Sequence, residues 1–215
     1  MSAHSESAER ILQQADELFR LYGPTKTSVA DIAHKLRMSP ANIYRSFPTK
    51  QLLIEATYRR RLTILIENIL EFTRSKENSW WHIEKLFSVV HKHFCMLILN
   101  KIDYFEIYAA QHGLIIGSGD MSGRWAFYVE FHNFIRDELR YLIEAGISRG
   151  EMEVDDPAEA ASGLFDCLIA AVDPALIVLN APEEGSRKLH RQLALLSRAF
   201  LPRAAGFPPP RAAIV

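Results

Sequence analysis

Eight basic side chains lie between Pro24 and Arg61, and only two acidic ones, Asp31 and Glu55, oppose them. The local balance, eight minus two, is +6, whereas fifteen basic and twenty acidic residues give −5 from Leu62 onward. The net charge of the whole chain is only −1, so the asymmetry lies in the distribution of charge. Clustered lysine and arginine side chains neutralise phosphates, and this distribution is typical of a protein that binds nucleic acid with one end.

The basic segment must be positioned by secondary structure, and its own residues predict two short helices. Ser28 can cap a helix over residues 29–36, because its hydroxyl can accept a free backbone N–H. Ser39 and Pro40 suit the cap and the first position of a second helix over residues 40–46. Two such helices joined by about three residues form a helix-turn-helix, whose second helix can lie in the major groove of DNA.

Helical periodicity extends over the rest of the chain, and no segment alternates convincingly as a strand would. The sequence therefore predicts an all-α fold of about nine helices, with a three-helix DNA-binding domain and a larger helical C-terminal domain. The predicted divisions are a flexible start at 1–7, domains at 8–58 and 59–201, and a disordered proline-rich tail at 202–215. Outside the motif, helices are predicted over residues 7–22, 50–73, 83–97, 104–112, 122–147, 157–180 with a kink at Pro174, and 183–201.

A longer run of residues makes the helix-turn-helix specific. It reads Thr27-Ser28-Val29-Ala30-Asp31-Ile32-Ala33, then Met38-Ser39-Pro40-Ala41-Asn42-Ile43-Tyr44-Arg45-Ser46-Phe47-Pro48-Thr49-Lys50 and Leu52-Leu53, with Leu18-Phe19 and Gly23 before it. This run resembles the DNA-binding domain of the TetR (tetracycline-repressor-like) family of transcription regulators. The resemblance covers residues 8–58.

The chain departs from the TetR pattern at Arg37, because the family usually has glycine at this position of the turn. If the turn needs a left-handed backbone angle, a residue other than glycine costs about 1 kcal/mol there. We hypothesise that the positive charge of Arg37 compensates for this cost by reaching DNA.

Residue types within the run have distinct DNA-binding chemistry. Ser28 and Lys50, at the starts of their helices, can meet phosphates, which positions a domain on DNA without reading its sequence. On the second helix, Asn42 can pair with adenine and Arg45 with guanine, and Ala41 can touch a thymine methyl. The resemblance also places Tyr44 on the family's backbone-contacting tyrosine. The predicted DNA-binding residues are Thr27, Ser28, Arg37, Ser39, Pro40, Ala41, Asn42, Tyr44, Arg45 and Lys50, and the predicted core positions are Ile32, Ala33, Leu36, Ile43 and Phe47.

The TetR resemblance also implies what the C-terminal domain does. The last two helices would pair with those of a second copy in a four-helix bundle, and the homodimer would bind a palindromic operator on double-stranded DNA. A small-molecule effector would bind among the middle helices and release the DNA, with repression as the family default. The aromatic content of the candidate lining favours an apolar or aromatic effector; this lining is His91, Phe94, Tyr104, Tyr108, His112, Trp125, Tyr128, His132 and Asp166.

Other classes of function remain as alternatives. A regulator of the same family could respond to a protein partner, or act constitutively, without any small-molecule effector. An enzyme is disfavoured because the sequence has no HExxH motif, phosphate-binding glycine loop or nucleophile elbow. His91 and His93 lie about 200° apart around a helix, which disfavours a shared metal ion. The sequence therefore predicts no cofactor and no metal site.

The cysteines, the polar start of the chain and the length of its apolar stretches indicate the cellular compartment. Cys95 and Cys167 each fall within an apolar helical pattern, which predicts two reduced, buried thiols. The polar start lacks an apolar signal core, and the apolar stretches of the chain are too short to span a membrane. We therefore expect a soluble cytoplasmic protein without membrane partners.

Overall fold

The computed structural model describes residues 3–99, 126–177 and 182–202, and these form helices and turns without any strand. The predicted all-helical fold class is therefore confirmed. None of the described helices is long and apolar enough to cross a membrane. The helices are α1 (Ala3–Tyr22), α2 (Val29–Lys35), α3 (Pro40–Ser46), α4 (Lys50–Thr73), α5 (Ser79–Leu99), α6 (Ala126–Ser148), α7 (Pro157–Val172), α8 (Pro174–Ile177) and α9 (Pro182–Phe200).

Local signals in the sequence set most of the helix ends. The bounds of α3 and α4 are those predicted, and α1 stops before Gly23, whose left-handed backbone (φ 80°) only glycine adopts without cost. At the start of α5, the side-chain oxygen of Asn78 accepts the backbone N–H of Trp80 at 2.8 Å. The predicted helix over 104–112 and all but the first residue of the predicted tail lie outside the described residues.

The prediction of one kinked helix over residues 157–180 is wrong. α7 ends at Val172, Asp173 is extended (φ −94°, ψ 118°), and the short helix α8 starts at Pro174. Proline disfavours the helical conformation in the residue before it, so the chain breaks at Asp173. The N–H of Asp173 still closes the last turn of α7, because it donates to the Ile169 carbonyl at 2.8 Å.

The chain divides into two compact units, which we call the N-terminal unit (residues 1–68 with 96–129) and the C-terminal unit (residues 69–95 with 130–215). In the N-terminal unit, α1, α2 and α3 pack against one another. The predicted core residues Ile32, Ala33 and Ile43 are buried, whereas Leu36 and Phe47 are half-buried. One apolar face from each short helix, held against α1, thus contributes to the core of this unit, together with buried residues of α4 such as Leu53 and Tyr58.

The C-terminal unit has its own apolar core. α7 packs against both α8 and α9, and its stripe of apolar residues at helical spacing is buried, namely Ala161, Phe165, Leu168 and Val172. Large side chains without solvent exposure come from α5, α6 and α7, namely Ile83, Phe87, Phe94, Ile135, Leu139 and Phe165.

The two cysteines have different surroundings. Cys95 on α5 is buried as predicted, and burial raises the pKa of its thiol, so the protonated form is favoured. Cys167 on α7 is exposed, so the prediction of a second buried thiol is wrong. It directly precedes the buried Leu168, and successive helical residues point about 100° apart, which turns Cys167 away from the core.

Candidate nucleic-acid interface

The first helix of the motif begins with a reciprocal cap between Ser28 and Asp31. The Ser28 hydroxyl oxygen accepts the Asp31 backbone N–H at 3.1 Å, and the Ser28 backbone N–H donates to the Asp31 carboxylate at 2.8 Å. The Ser28 hydroxyl also donates to that carboxylate at 2.6 Å, and these bonds from side chain and backbone lower the pKa of Asp31. The predicted cap is confirmed, and both donors of Ser28 are engaged by Asp31.

The turn between α2 and α3 depends on Arg37, which has a positive φ of 54°. The Met38 N–H donates to the Ala33 carbonyl at 3.0 Å, and the Arg37 N–H donates to the His34 carbonyl at 3.1 Å. This pair of bonds is a Schellman motif, which needs a left-handed residue at the position of Arg37 and usually has glycine there. The turn therefore has the left-handed geometry that would favour glycine, and the arginine side chain is exposed.

The second helix of the motif, α3, buries one side chain and presents the others. Ile43 is completely buried and holds the helix on the N-terminal unit. The predicted contact residues on this helix are all exposed, and Tyr44 is 45% exposed. Ser39 occupies the cap position without making a side-chain cap bond. The exposed set is Ser39, Pro40, Ala41, Asn42, Tyr44 and Arg45.

Lys50 stands at the first position of α4. Its ammonium group donates to the carbonyl oxygen of Thr25 at 3.3 Å, so it lies against the loop between α1 and α2. Thr49 caps this helix by accepting the Leu52 backbone N–H at 3.1 Å. The lysine is half-buried, which leaves part of its side chain open to a ligand.

Thr27, unlike the predicted contact residues on α3, does not lie at the surface. It is buried, and its hydroxyl donates to the Gly23 carbonyl at 2.8 Å. Its backbone N–H donates to the same carbonyl at 3.2 Å. Thr27 therefore closes the loop between α1 and α2 and does not present its hydroxyl at the surface.

Two arginines of the basic segment face carboxylates on α1. Arg60 donates to Glu9 at 2.6 Å, and Arg61, which is only 8% exposed, donates to Asp16. These partners lie 51 and 45 residues away in sequence, so the local charge count did not include them. The seven-residue spacing of Glu9 and Asp16 puts them on one face of α1, which is the signal that the sequence contained. The exposed basic residues of the segment include Lys26, Lys35, Arg37 and Arg45.

The residues predicted to line an effector cavity are only partly described. His91 is buried, and its Nδ1 lies 3.1 Å from the Ala171 carbonyl, which can only accept, so Nδ1 carries the proton. His91 Nε2 then accepts from the Cys95 thiol, at an Nε2–Sγ distance of 3.4 Å. Tyr104, Tyr108, His112, Trp125 and the side chain of Tyr128 lie outside the described part of the chain.

The other described candidates divide between core and surface. Phe94 is buried with its ring edge-on to Phe131, and His132 is edge-on to Phe165 at a centroid distance of 5.4 Å. Asp166 is 69% exposed and lies 3.6 Å from Arg136, so its surface position argues against a place in a cavity. Within the described ranges, no three His, Cys, Asp or Glu side chains come together as a metal site.

The helix-turn-helix segment is similar to a family of known proteins. Residues 11–57 match the model for bacterial regulatory proteins of the tetR family. These residues belong to the tetR family. The match runs from α1 to the first turns of α4 and includes every predicted DNA-binding residue. The chain therefore carries a DNA-binding domain of the tetR-family type.

Solved structures resemble the chain over most of its length. A transcriptional regulator from Cytophaga hutchinsonii has a TM-score of 0.70 at 18% identity, covering 90% of this chain and 98% of its own. A putative transcriptional regulator from Saccharomonospora viridis, in complex with choline, has a TM-score of 0.63 at 17% identity, with coverages of 93% and 100%. A TetR-family regulator from Pectobacterium atrosepticum has a TM-score of 0.61 at 18% identity, with coverages of 92% and 95%. At these identities the likeness concerns the fold, and no curated protein matches the chain in sequence.

Proposed function

We propose that this protein represses transcription as a homodimer on a palindromic operator and that a small-molecule effector releases it from DNA. The observation that carries the DNA-binding part is the exposed face of α3. Asn42, Tyr44 and Arg45 stand out from a helix that Ile43 anchors in the core of the N-terminal unit. An exposed row of such side chains on a short, firmly held helix is suited to entering the major groove. Because chromosomal DNA is the proposed partner, the protein would act in the cytoplasm.

Phosphate contacts and base contacts are proposed for different residues of this surface. Tyr44, Lys50 and the charged Arg37 would contact phosphates, which sets the register of the domain on DNA. The exposed hydroxyl of Ser39 makes no cap bond and would serve the same purpose. Ser28 would contribute through the capped start of α2, whereas Asn42 and Arg45 would read base edges, with Pro40 and Ala41 in apolar contact beside them. The proposal leaves out Thr27, because its hydroxyl is bonded inside the loop.

The proposed dimer would form through α7 and α9, which pack against each other in the C-terminal unit. Leu195 on α9 is 66% exposed, and Gly163 and Cys167 are exposed on α7. A Cβ atom added at Gly163 would meet nothing within 4 Å, so this stretch of α7 has room for a second helix pair. Pairing of these faces in two copies would complete a four-helix bundle and bring two recognition helices to the two halves of a palindrome.

The proposed effector would bind in the C-terminal unit, where polar groups interrupt an aromatic core. His132 lies beside the rings of Phe131 and Phe165, and the buried His91 lies against the Ala171 carbonyl. Such mixed surroundings suit a mostly apolar ligand with few polar groups. The Saccharomonospora viridis relative was solved with choline, which supports ligand binding by this fold. For this chain we propose an apolar or aromatic effector.

The first test is a mobility-shift experiment with the DNA that flanks the protein's own gene, at low and high salt. We expect Lys50→Ala to weaken binding to all sequences alike, because it removes a phosphate contact. Asn42→Ala should change which sequences bind. Lys76→Ala, which removes an exposed positive charge outside the basic segment, is the matched control and should bind like the parent.

The same experiment tests the effector with a panel of apolar and aromatic small molecules. Release by one compound supports the effector proposal and identifies the ligand class. The absence of any binding at low salt would contradict the DNA-binding proposal. Specific binding that no compound affects would favour control by a protein partner or constitutive binding.

A further inference from the structure

The start of α5 is held by the loop that follows α6. The backbone N–H of Ser79, the first residue of α5, donates to the Glu151 carboxylate at 2.8 Å. Arg149 pairs with the same carboxylate, 3.1 Å from its Nε, and donates from Nη2 to the Ser79 hydroxyl at 2.5 Å. A carboxylate at a helix N-terminus accepts a free backbone N–H and interacts favourably with the helix dipole. Glu151 therefore caps α5, although it lies 72 residues away in sequence.

The same loop holds the end of α9. The Glu153 N–H donates to the Phe200 carbonyl at 2.9 Å. The ring of Phe200 lies 5.4 Å from that of Trp80, the second residue of α5, and Met152 in the loop is buried. Residues 79–82, 149–153 and 200 therefore form one contact region within the C-terminal unit, which we call the α5 junction.

His82 is buried at the α5 junction with only one ring nitrogen paired. The residue is 1% exposed, and its Nε2 lies 2.9 Å from the Ser75 hydroxyl oxygen. Its Nδ1 is also buried and has no hydrogen-bond partner among the residues that the structure describes. A hydroxyl can donate or accept, so Ser75 satisfies Nε2 in either tautomer of the neutral ring. A protonated ring would carry an N–H at both nitrogens, and Nδ1 would become a buried, charged donor without an acceptor.

Charged groups from three segments face the His82 ring. Arg149 in the loop after α6 and Lys85 on α5 oppose a positive ring. Glu77, just before α5, and Glu151 favour it. Burial is the largest effect and lowers the pKa of His82, so the ring is neutral at pH 7. In acid, the carboxylates are the groups that a charged ring attracts, and Glu151 is the one that caps α5.

We propose that mild acid opens the α5 junction, because a protonated His82 attracts the Glu151 carboxylate away from the start of α5. The Ser79 N–H then loses its acceptor and Arg149 loses its partner. The loop over residues 149–153 loosens, and with it the bond to the end of α9. The C-terminal unit thus contains a reversible pH-sensitive contact. This inference does not depend on the proposed DNA binding, and its test needs no DNA.

Amide hydrogen exchange followed by mass spectrometry tests the opening between about pH 7.5 and about pH 5, the range in which histidine changes its charge. The rates are corrected for the pH dependence of exchange in an unstructured peptide. We expect protection over residues 79–84 and 149–153 to fall by about fivefold or more in acid, and we call this fall the acid step. The middle of α6, residues 135–143, is the internal reference. An absent acid step, or an equal one in the reference, would overturn the proposal.

The first variant is His82→Gln, which can still bond to Ser75 but cannot be protonated in this range. It should lose the acid step. The matched control is His190→Gln on α9, because His190 is exposed and bonds within its own helix to the Ser186 carbonyl at 2.8 Å. This control should retain the acid step of the parent. An acid step of parental size in His82→Gln would contradict the assignment to this ring.

The second variant, Glu151→Gln, tests the capping carboxylate and decides the proposal if His82→Gln fails to fold. The amide oxygen of glutamine can still accept the Ser79 N–H, but a charged ring does not attract it as it attracts a carboxylate. The acid step should therefore shrink. The step is a ratio between two pH values, so a uniform loosening of the α5 junction by the substitution does not alter it. An undiminished step in Glu151→Gln would overturn the proposal.

Discussion

Replacing Arg37 by glycine should stabilise the protein and weaken its binding to DNA. A left-handed conformation costs a residue with a Cβ atom about 1–2 kcal/mol, and Arg37 has this conformation with a φ of 54°. Glycine removes that cost but loses roughly 0.5–1 kcal/mol because its unfolded chain is more flexible. The expected net gain in the free energy of unfolding is therefore about 0.5–1 kcal/mol. Both hydrogen bonds of the Schellman motif use backbone atoms and remain in the variant.

The assay is urea unfolding followed by circular dichroism for the parent, Arg37→Gly and Arg37→Ala. Alanine removes the charge but keeps the Cβ atom, so the difference between the two variants is the backbone strain less the flexibility cost of glycine. We expect Arg37→Gly to be the more stable of the two by about 0.5–1 kcal/mol. If glycine were no more stable than alanine, a strain larger than the flexibility cost of glycine would be refuted.

The same substitutions at Arg37 should also weaken binding to DNA, and the salt dependence of binding measures this second effect separately from stability. If Arg37 contacts one phosphate, its removal should reduce the slope of log affinity against log salt by about 0.9 in both variants. Arg37→Lys keeps the charge and should retain the slope of the parent. An unchanged slope in the alanine and glycine variants would show that the charge of Arg37 does not compensate for its strain by reaching DNA.

Three further results are expected. Thr27→Val should cost about 1 kcal/mol in urea unfolding, because the bond to the Gly23 carbonyl is lost, and an altered salt dependence of DNA binding would contradict this structural role. Burial lowers the pKa of His82 below 6.5, so its contribution to stability is complete above pH 6.5 and is lost as the pH falls through the lowered pKa. His82→Gln should therefore flatten that part of a plot of the free energy of unfolding against pH. A curve parallel to that of the parent would refute the assignment to His82. Arg61→Ala should destabilise the protein by about 2 kcal/mol, whereas Arg140→Ala should cost about 0.5 kcal/mol or less, and equal losses would show that the burial of Arg61 does not matter.

The helix-turn-helix could be predicted closely from the sequence because its signals act over a few residues. The cap at Ser28 and the proline at Pro40 depend only on neighbouring backbone groups, and the bounds of α3 and α4 follow. The exposure of Asn42 and Arg45 follows from helical periodicity once Ile43 is taken as the buried residue. The left-handed turn at Arg37 was predictable only through the resemblance to a family with glycine there.

Tertiary structure decided what depends on distant partners. Thr27 belongs to the same run as the exposed residues, yet the loop that it closes turns its hydroxyl inward. Cys167 has apolar neighbours in sequence, but the packing of α7 determines which of them is buried. Pro174 is a local signal for an interruption, but the sequence alone predicted a kink where the folded chain has a break at Asp173.

The charged residues show most clearly what the sequence determines and what only the tertiary structure decides. The sequence by itself determined that the basic residues gather in one segment, since counting them needs no coordinates. Only the folded chain brings Arg61 to Asp16 across 45 residues and Arg74 to Glu138 across 64. The strength of an ion pair depends on separation and burial, and neither is a property of the local sequence. The sequence therefore located the surface that we propose meets DNA, and the tertiary structure decided which charges remain available to it and which pair with other helices.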